Sequence, residues 1–175
     1  MANYYTGVGS RETPDNILFE MRRIAEKMRH MGYTLRSGAA PGADTAFEIG
    51  AGSDTEIYLP WNGFNGHDDK DGTHINAKTM WNIRRAYQIA ELHHPRWEYL
   101  KDSHKALHAR NTYQVLGFEL NNPSTVLICW SKPLGTGVSG GTATAVSIAK
   151  HYGVPVYNLY FEEELNQIHR ILGIF

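Results

Sequence analysis

Three times in this chain a short apolar run ends in a glycine-bearing turn that opens straight into a helix-like stretch: "YYTGVGSRETP", "TLRSGAAPGADTAFE" and "TVLICWSKPLGTGVSGGTATAV". Strand, glycine turn and helix in that order are the mark of βαβ units, which commit a chain to a mostly parallel sheet flanked by helices. Strands are expected over 4–8, 34–36, 56–59, 126–130 and 154–157. With 175 residues the chain is long enough for one well-buried domain and too short for two ordinary ones. The expected fold is therefore a single Rossmann-like α/β domain over 1–175, with a helical and loop insertion at about 60–100.

In a parallel sheet the turns that follow strands lie together at the carboxyl edge, where open α/β folds bind their ligands. Glycine lets main-chain N–H groups come close to an anion, and the helix behind each turn aims its positive end at the same place. Ser10, Arg11, Ser37, Ser139 and Thr142 add hydroxyl and guanidinium donors suited to phosphate oxygens. The chemistry expected of such a pocket is phosphate or nucleotide binding; the competing reading is that the glycines serve close helix–sheet packing. Gly135, Gly137 and Gly140 formally match G-x-G-x-x-G, but they stand several residues past the strand. The next strand offers Asn158 where a ribose-binding acid is expected, and no Gly-Lys-Ser/Thr follows the glycines. Neither a dinucleotide fingerprint nor a Walker P-loop is supported.

Between the first two strands, Thr13 reads as a helix N-cap, Pro14 as the first helical residue and Gly32 as the stop. Ile17, Met21, Ile24, Met28 and Met31 supply that helix with an apolar, core-facing stripe. From Pro60 the rhythm breaks into the polar loop "NGFNGHDDKDGTHINAK", then a helix expected over 77–92 and another over 102–120, stopped by "NNP".

Four motifs in this order, "GSRETP", "SGAAPGADTAFE", "ARNTYQVLG" and "SGGTATAVSIAKHYGVPVY", resemble those of the SMF/DprA–LOG (SLOG) superfamily of Rossmann-like nucleotide-binding domains, most of all its DNA-processing protein A branch. The resemblance spans most of the chain but not 60–107. It implies that Gly9, Ser10 and Arg11, then Ser37 and Gly38, then Arg110 and Asn111, then Ser139, Gly140, Gly141 and Thr142 face a ligand. Arg110 and Asn111 come from the resemblance alone. This chain departs from the branch in having Glu48 where a histidine is usual, and no added winged-helix domain is expected within these 175 residues. The phosphoribohydrolase relatives carry a carboxylate three residues after the threonine of their glycine motif, where this chain has Ala145.

Asp44 and Glu48 stand four apart on the helix behind the second turn, so both face one way. Such a pair suits N-glycosidic hydrolysis of a nucleotide, with Asp44 and Glu48 as the catalytic candidates; helix-start stabilisation and surface pairing are the alternative. His67, Asp68, Asp69, Asp71 and His74 cluster in the inserted loop, and His104 and His108 have i, i+4 spacing. "HDDKDG" resembles the opening of an EF-hand loop but has Lys78 at the twelfth position instead of an acid. These groups read as a polar loop and a solvated helix face, and neither a metal nor a cofactor is assigned. Trp61 follows a strand end and is expected to border the pocket. The other aromatics of the insertion, interleaved with Arg84, Arg85, Arg96 and Lys101, suit either base stacking or, as the competing reading, the core or an interface between copies in a homo-oligomer.

Lys plus Arg number 17 and Asp plus Glu 18, so no overall basic field exists to hold DNA. The reading is a nucleotide sensor or sequestering protein, with hydrolysis and single-stranded DNA binding as alternatives. A single cysteine, Cys129, and the want of any apolar run near the ~18 residues of a membrane span point to a cytoplasmic protein without membrane contact.

Overall fold

The computed structural model describes residues 2–69 and 72–175. Its strands are β1 (Asn3–Gly9), β2 (Tyr33–Ser37), β3 (Thr55–Leu59), β4 (His74–Asn76), β5 (Leu127–Trp130), β6 (Pro133–Leu134), β7 (Gly137–Val138) and β8 (Val156–Asn158). Six of them form one parallel sheet in the order β4-β3-β2-β1-β5-β8, while β6 and β7 make a small antiparallel ribbon. The order runs outward from β1 in both directions. β1 pairs with β2 from Asn3↔Tyr33 and with β5 up to Gly9↔Trp130, which puts the reversal of strand order between β1 and β5. This is a Rossmann-like α/β architecture.

Helices α1 (Asp15–His30), α2 (Ala43–Ala51) and α6 (Glu162–Leu172) share one core with the sheet, in which Tyr5, Met21, Ile24, Leu35 and Phe47 are fully buried. Helices α3 (Ile83–Leu92), α4 (Asp102–Leu116) and α5 (Thr142–His151) pack with Val115, Leu116, Leu127, Ile148 and Tyr113 in two further clusters. Burial on both faces explains why β5 reads as the unbroken apolar run "LICW". On β2, Arg36 is 2% exposed, donates to the carbonyl of Asn122 at 2.6 Å and lies 3.9 Å from the Tyr4 ring centroid. It ties β2 to the segment leading into β5.

Helix α4 is unusual in that every residue from His108 to Leu116 is buried. A helix without a solvated face must find internal partners for its polar side chains, and His108, Arg110, Asn111 and Gln114 fall within this stretch. Those partners build the site described below.

Several local expectations are corrected. Thr13 does not cap α1: its hydroxyl donates to the Ser10 carbonyl at 2.6 Å, and the helix begins only at Asp15, with Pro14 in the capping position. Met31 lies beyond the last turn and is 47% exposed, so it leaves the apolar stripe. The helix expected over 77–92 is a 3-10 turn at Ala77–Thr79 followed by α3, and α4 stops at Leu116 because Gly117 takes a positive φ of 77°. Within the segment read as an insertion, β4 extends the sheet beside β3. His74 is therefore a buried strand residue and not part of a surface loop; Lys70 and Asp71 lie outside the described residues.

Candidate functional site

At the carboxyl ends of β1 and β5, where strand order reverses, lies a cleft of about 550 Å³. Its walls come from the turn after β1, the start of α2, the turn before α5, and the inner face of α4. That volume suits one small-molecule ligand and the location is the one open α/β sheets use.

The β1 turn brings Gly9, Ser10 and Arg11 to the rim. A Cβ at Gly9 would stand 2.7 Å from the Ala43 Cβ and 2.8 Å from the Trp130 carbonyl oxygen, so only glycine lets β1, β5 and α2 meet this closely. Ser10 is held by the main-chain N–H of Glu12, which donates to its hydroxyl at 3.0 Å, while the Arg11 side chain is exposed. Opposite, Ser139, Gly140, Gly141 and Thr142 form the turn into α5. Gly140 has a φ of 73°, a left-handed conformation that turns the chain into the helix, and the Ser139 N–H before it is held by the Lys132 carbonyl at 2.9 Å. Asn111 fixes this turn by donating from Nδ2 to the Gly141 carbonyl at 2.8 Å.

Beneath the rim sit two buried charges. Arg110, 5% exposed, donates to the carbonyls of Gly38 and Tyr58 and, through Nε at 3.0 Å, to Oδ1 of Asn111, while Phe64 lies over its guanidinium at 5.3 Å. Asp44, 4% exposed, accepts from the Ala40 N–H at 3.3 Å. Desolvation pushes its carboxyl up to about 6, against the opposing pull of Arg110 and of backbone hydrogen bonds from Ala40 and Gly9. Desolvation also brings the Arg110 guanidinium down to about 10. The cleft thus has a donor-rich rim suited to an anion and an acceptor on its floor, titrating near neutrality, suited to a hydroxyl or N–H.

Ser37 and Gly38, expected at the ligand, have other places. The Ser37 hydroxyl donates to the Gly7 carbonyl at 2.6 Å, and Gly38 packs beneath Arg110. Trp61 is half-buried against the core and meets Phe64 edge-on at 5.5 Å, so that Phe64 and not Trp61 lines the cleft. The two carboxylates of α2 are also parted. Asp44 faces the cleft, but Glu48, one turn on, reaches β4, where its carboxylate is 3.2 Å from Nε2 of His74. The lining is only as deep as the first turn of α2.

The cleft includes side chains that sequence reasoning did not assign to it: His104 and His108, with Leu100 and Leu107, along α4 and its approach. His108 shares a 2.7 Å hydrogen bond with the Thr144 hydroxyl, and burial, aided by His94, His104 and Arg110, brings it down to about 4. It is a neutral imidazole at physiological pH. Positions 104, 108 and 111 recur at i, i+4 and i+7, so placing Asn111 at the ligand already implied this histidine pair beside it.

No family model matches the chain, and no curated protein matches it. Among solved structures it is similar to DNA processing protein A of Helicobacter pylori, described for its single-stranded DNA binding mode. The two share 13% identity with a TM-score of 0.41, over 99% of this chain and 81% of the other. At that distance no residue's role passes from one chain to the other. None of the described helices is long and apolar enough to cross a membrane.

Proposed function

We propose that the cleft binds a nucleotide or nucleotide-derived ligand, and that the protein senses or sequesters it. The observation that carries this reading is the facing pair of strand-to-helix turns, Gly9–Arg11 and Ser139–Thr142, across one cleft at the point where strand order reverses. A phosphate fits against Gly140–Thr142 at the start of α5, with Arg11 and the Ser10 hydroxyl in the same rim, while the Ser139 hydroxyl donates to the Lys132 carbonyl at 3.1 Å and holds the turn. Asp44 is suited to a ribose hydroxyl or a base N–H, while Phe64, Leu100 and Leu107 offer an apolar wall for a base. Arg110 and Asn111 act in this account as positioning residues, because their hydrogen-bonding groups are engaged with the protein.

A second reading rests on Asp44. A buried carboxyl titrating near neutrality is fit for general acid–base work, which N-glycosidic hydrolysis needs, and here it would act without Glu48. Cytoplasmic residence is supported by the lone cysteine, Cys129, whose buried thiol is pushed up to about 12. Self-association is supported by the exposed Trp81, Leu92 and Tyr99.

The test is mass spectrometry of small molecules released from the freshly purified protein and after incubation with a nucleotide panel, alongside titration with single-stranded oligonucleotides. An intact nucleotide at one per chain supports the sensor. Free base and sugar phosphate that vanish in Asp44→Asn support the hydrolase. Binding of oligonucleotides but of no mononucleotide would replace both with single-stranded DNA binding.

A further inference from the structure

Away from the cleft, on the outer edge of the sheet, three chain segments bring metal-ligating side chains together. Glu48 comes from the second turn of α2, His67 from the end of a short 3-10 turn, and His74 from the start of β4. One ligand atom from each lies within 4.8 Å of the others. We propose that Glu48, His67 and His74 form a binding site for a divalent transition-metal ion of the zinc class.

A simple ion pair accounts for part of the arrangement, since the Glu48 carboxylate is 3.2 Å from Nε2 of His74. It leaves one feature unexplained. The second carboxylate oxygen, Oε1 of Glu48, is buried with no hydrogen-bond partner among the described residues, which is costly for a carboxylate. The rings of His67 and His74 are stacked, with centroids 4.6 Å apart and planes within 10°, which holds His67 beside the pair; its ring turns out of the stack to aim a nitrogen at a shared ion. An ion taking one nitrogen from each ring and the Glu48 carboxylate through both oxygens would engage Oε1 as well as Oε2, with a donor set of two imidazoles and one carboxylate, which suits zinc.

The fit is geometrically close. Ligand atoms ~2.0–2.1 Å from a tetrahedral ion are roughly 3.3 Å from one another, so the Glu48–His74 pair already has the needed separation. His67 must close the remainder, about 1.5 Å at most, by side-chain rotation. It is half-buried and sits on a surface turn, at the end of the 3-10 segment. Three protein ligands leave a fourth position for solvent.

The ion would join α2 to the segment between β3 and β4. The main-chain N–H of His67 donates to the Phe64 carbonyl at 3.0 Å, and Phe64 covers Arg110 in the cleft. Metal binding would therefore fasten the loop that supplies the aromatic wall of the cleft, independently of which ligand the cleft takes.

The test uses the full chain, stripped with a chelator and titrated with Co²⁺ and then Zn²⁺, following visible absorption and thermal unfolding. One Co²⁺ per chain is expected, with tetrahedral d–d bands that Zn²⁺ abolishes. Zn²⁺ at a hundredfold excess over its Kd should raise Tm by about 5–10 °C. His67→Gln, which removes a half-buried loop ligand and should fold normally by circular dichroism, is expected to bind at least tenfold more weakly; His104→Gln in the cleft should bind as wild type. The proposal is overturned if the wild-type protein takes up no Co²⁺ at millimolar concentration, or if His67→Gln binds with wild-type affinity.

Discussion

Replacing Arg110 by methionine keeps most of the stem's volume and removes the guanidinium that joins α4 to β2 and β3. Two main-chain carbonyls, Gly38 and Tyr58, lose their donor in a site where Arg110 is 5% exposed, and Asn111 loses the group that orients its amide. Each orphaned buried acceptor costs about 1–3 kcal/mol, and Asp44 is left without its opposing cation. Against this, the variant no longer buries a charge whose desolvation is strong enough to lower Arg110 to about 10. The balance predicts a loss of about 3 kcal/mol, read as a lower urea midpoint at unchanged m-value, with Tm down by about 6–12 °C. Lysine keeps the charge but lacks the planar fork that reaches all three acceptors, so Arg110→Lys should recover less than half of the loss. A methionine variant within about 0.5 kcal/mol of wild type would refute the reasoning, because it would mean that the buried network contributes nothing net.

Asp44 has its folded-state value raised above that of the unfolded chain, so the native state holds the proton more tightly; stability is greatest below about pH 4 and declines as pH rises toward 6. Relative to wild type, Asp44→Asn should gain up to about 3 kcal/mol across that window in urea unfolding, and a constant difference would contradict the burial of the charge. His108 is shifted the other way, so its contribution is lost as pH falls from 6.5 toward 4, and His108→Gln should flatten that acidic arm. Gly140→Val places a β-branched residue at φ 73° with open space around it, so the expected cost is backbone strain of about 1–2 kcal/mol together with loss of nucleotide affinity by calorimetry.

The sheet was legible because each βα unit repeats one grammar: an apolar strand, a glycine where backbones crowd, and a helix with a periodic stripe. β4 was not legible, since "HIN" is three residues long and carries no apolar run; what makes it a strand is pairing with β3 from Ile57↔His74 to Leu59↔Asn76. Thr13 misleads because its preference for capping is real but a closer acceptor, the Ser10 carbonyl, captures its hydroxyl. For Glu48 the helical spacing was right and the inference from it too broad, because one helix face spans both the cleft and the neighbouring strand. The polar stripe of α4 was read as solvated. Periodicity alone cannot separate a wet face from a buried one lined with partners, and here both sides of the helix are covered from His108 onward.

The central claim is that the start of α5, at Gly140–Thr142, together with Arg11 across the cleft holds a ligand phosphate, since the N–H groups of Ser10 and Ser139 already donate to the carbonyls of Trp130 and Lys132 at 2.9 Å. It is tested most directly by amide chemical-shift mapping of the labelled protein during titration with the nucleotide identified by mass spectrometry, with inorganic phosphate as a comparison. The account predicts that the largest, saturable shifts fall on Gly9–Arg11 and Ser139–Thr142, with smaller ones at Asp44 and along the inner face of α4. Shifts confined to other surfaces, or none in these two turns at saturation, would contradict it.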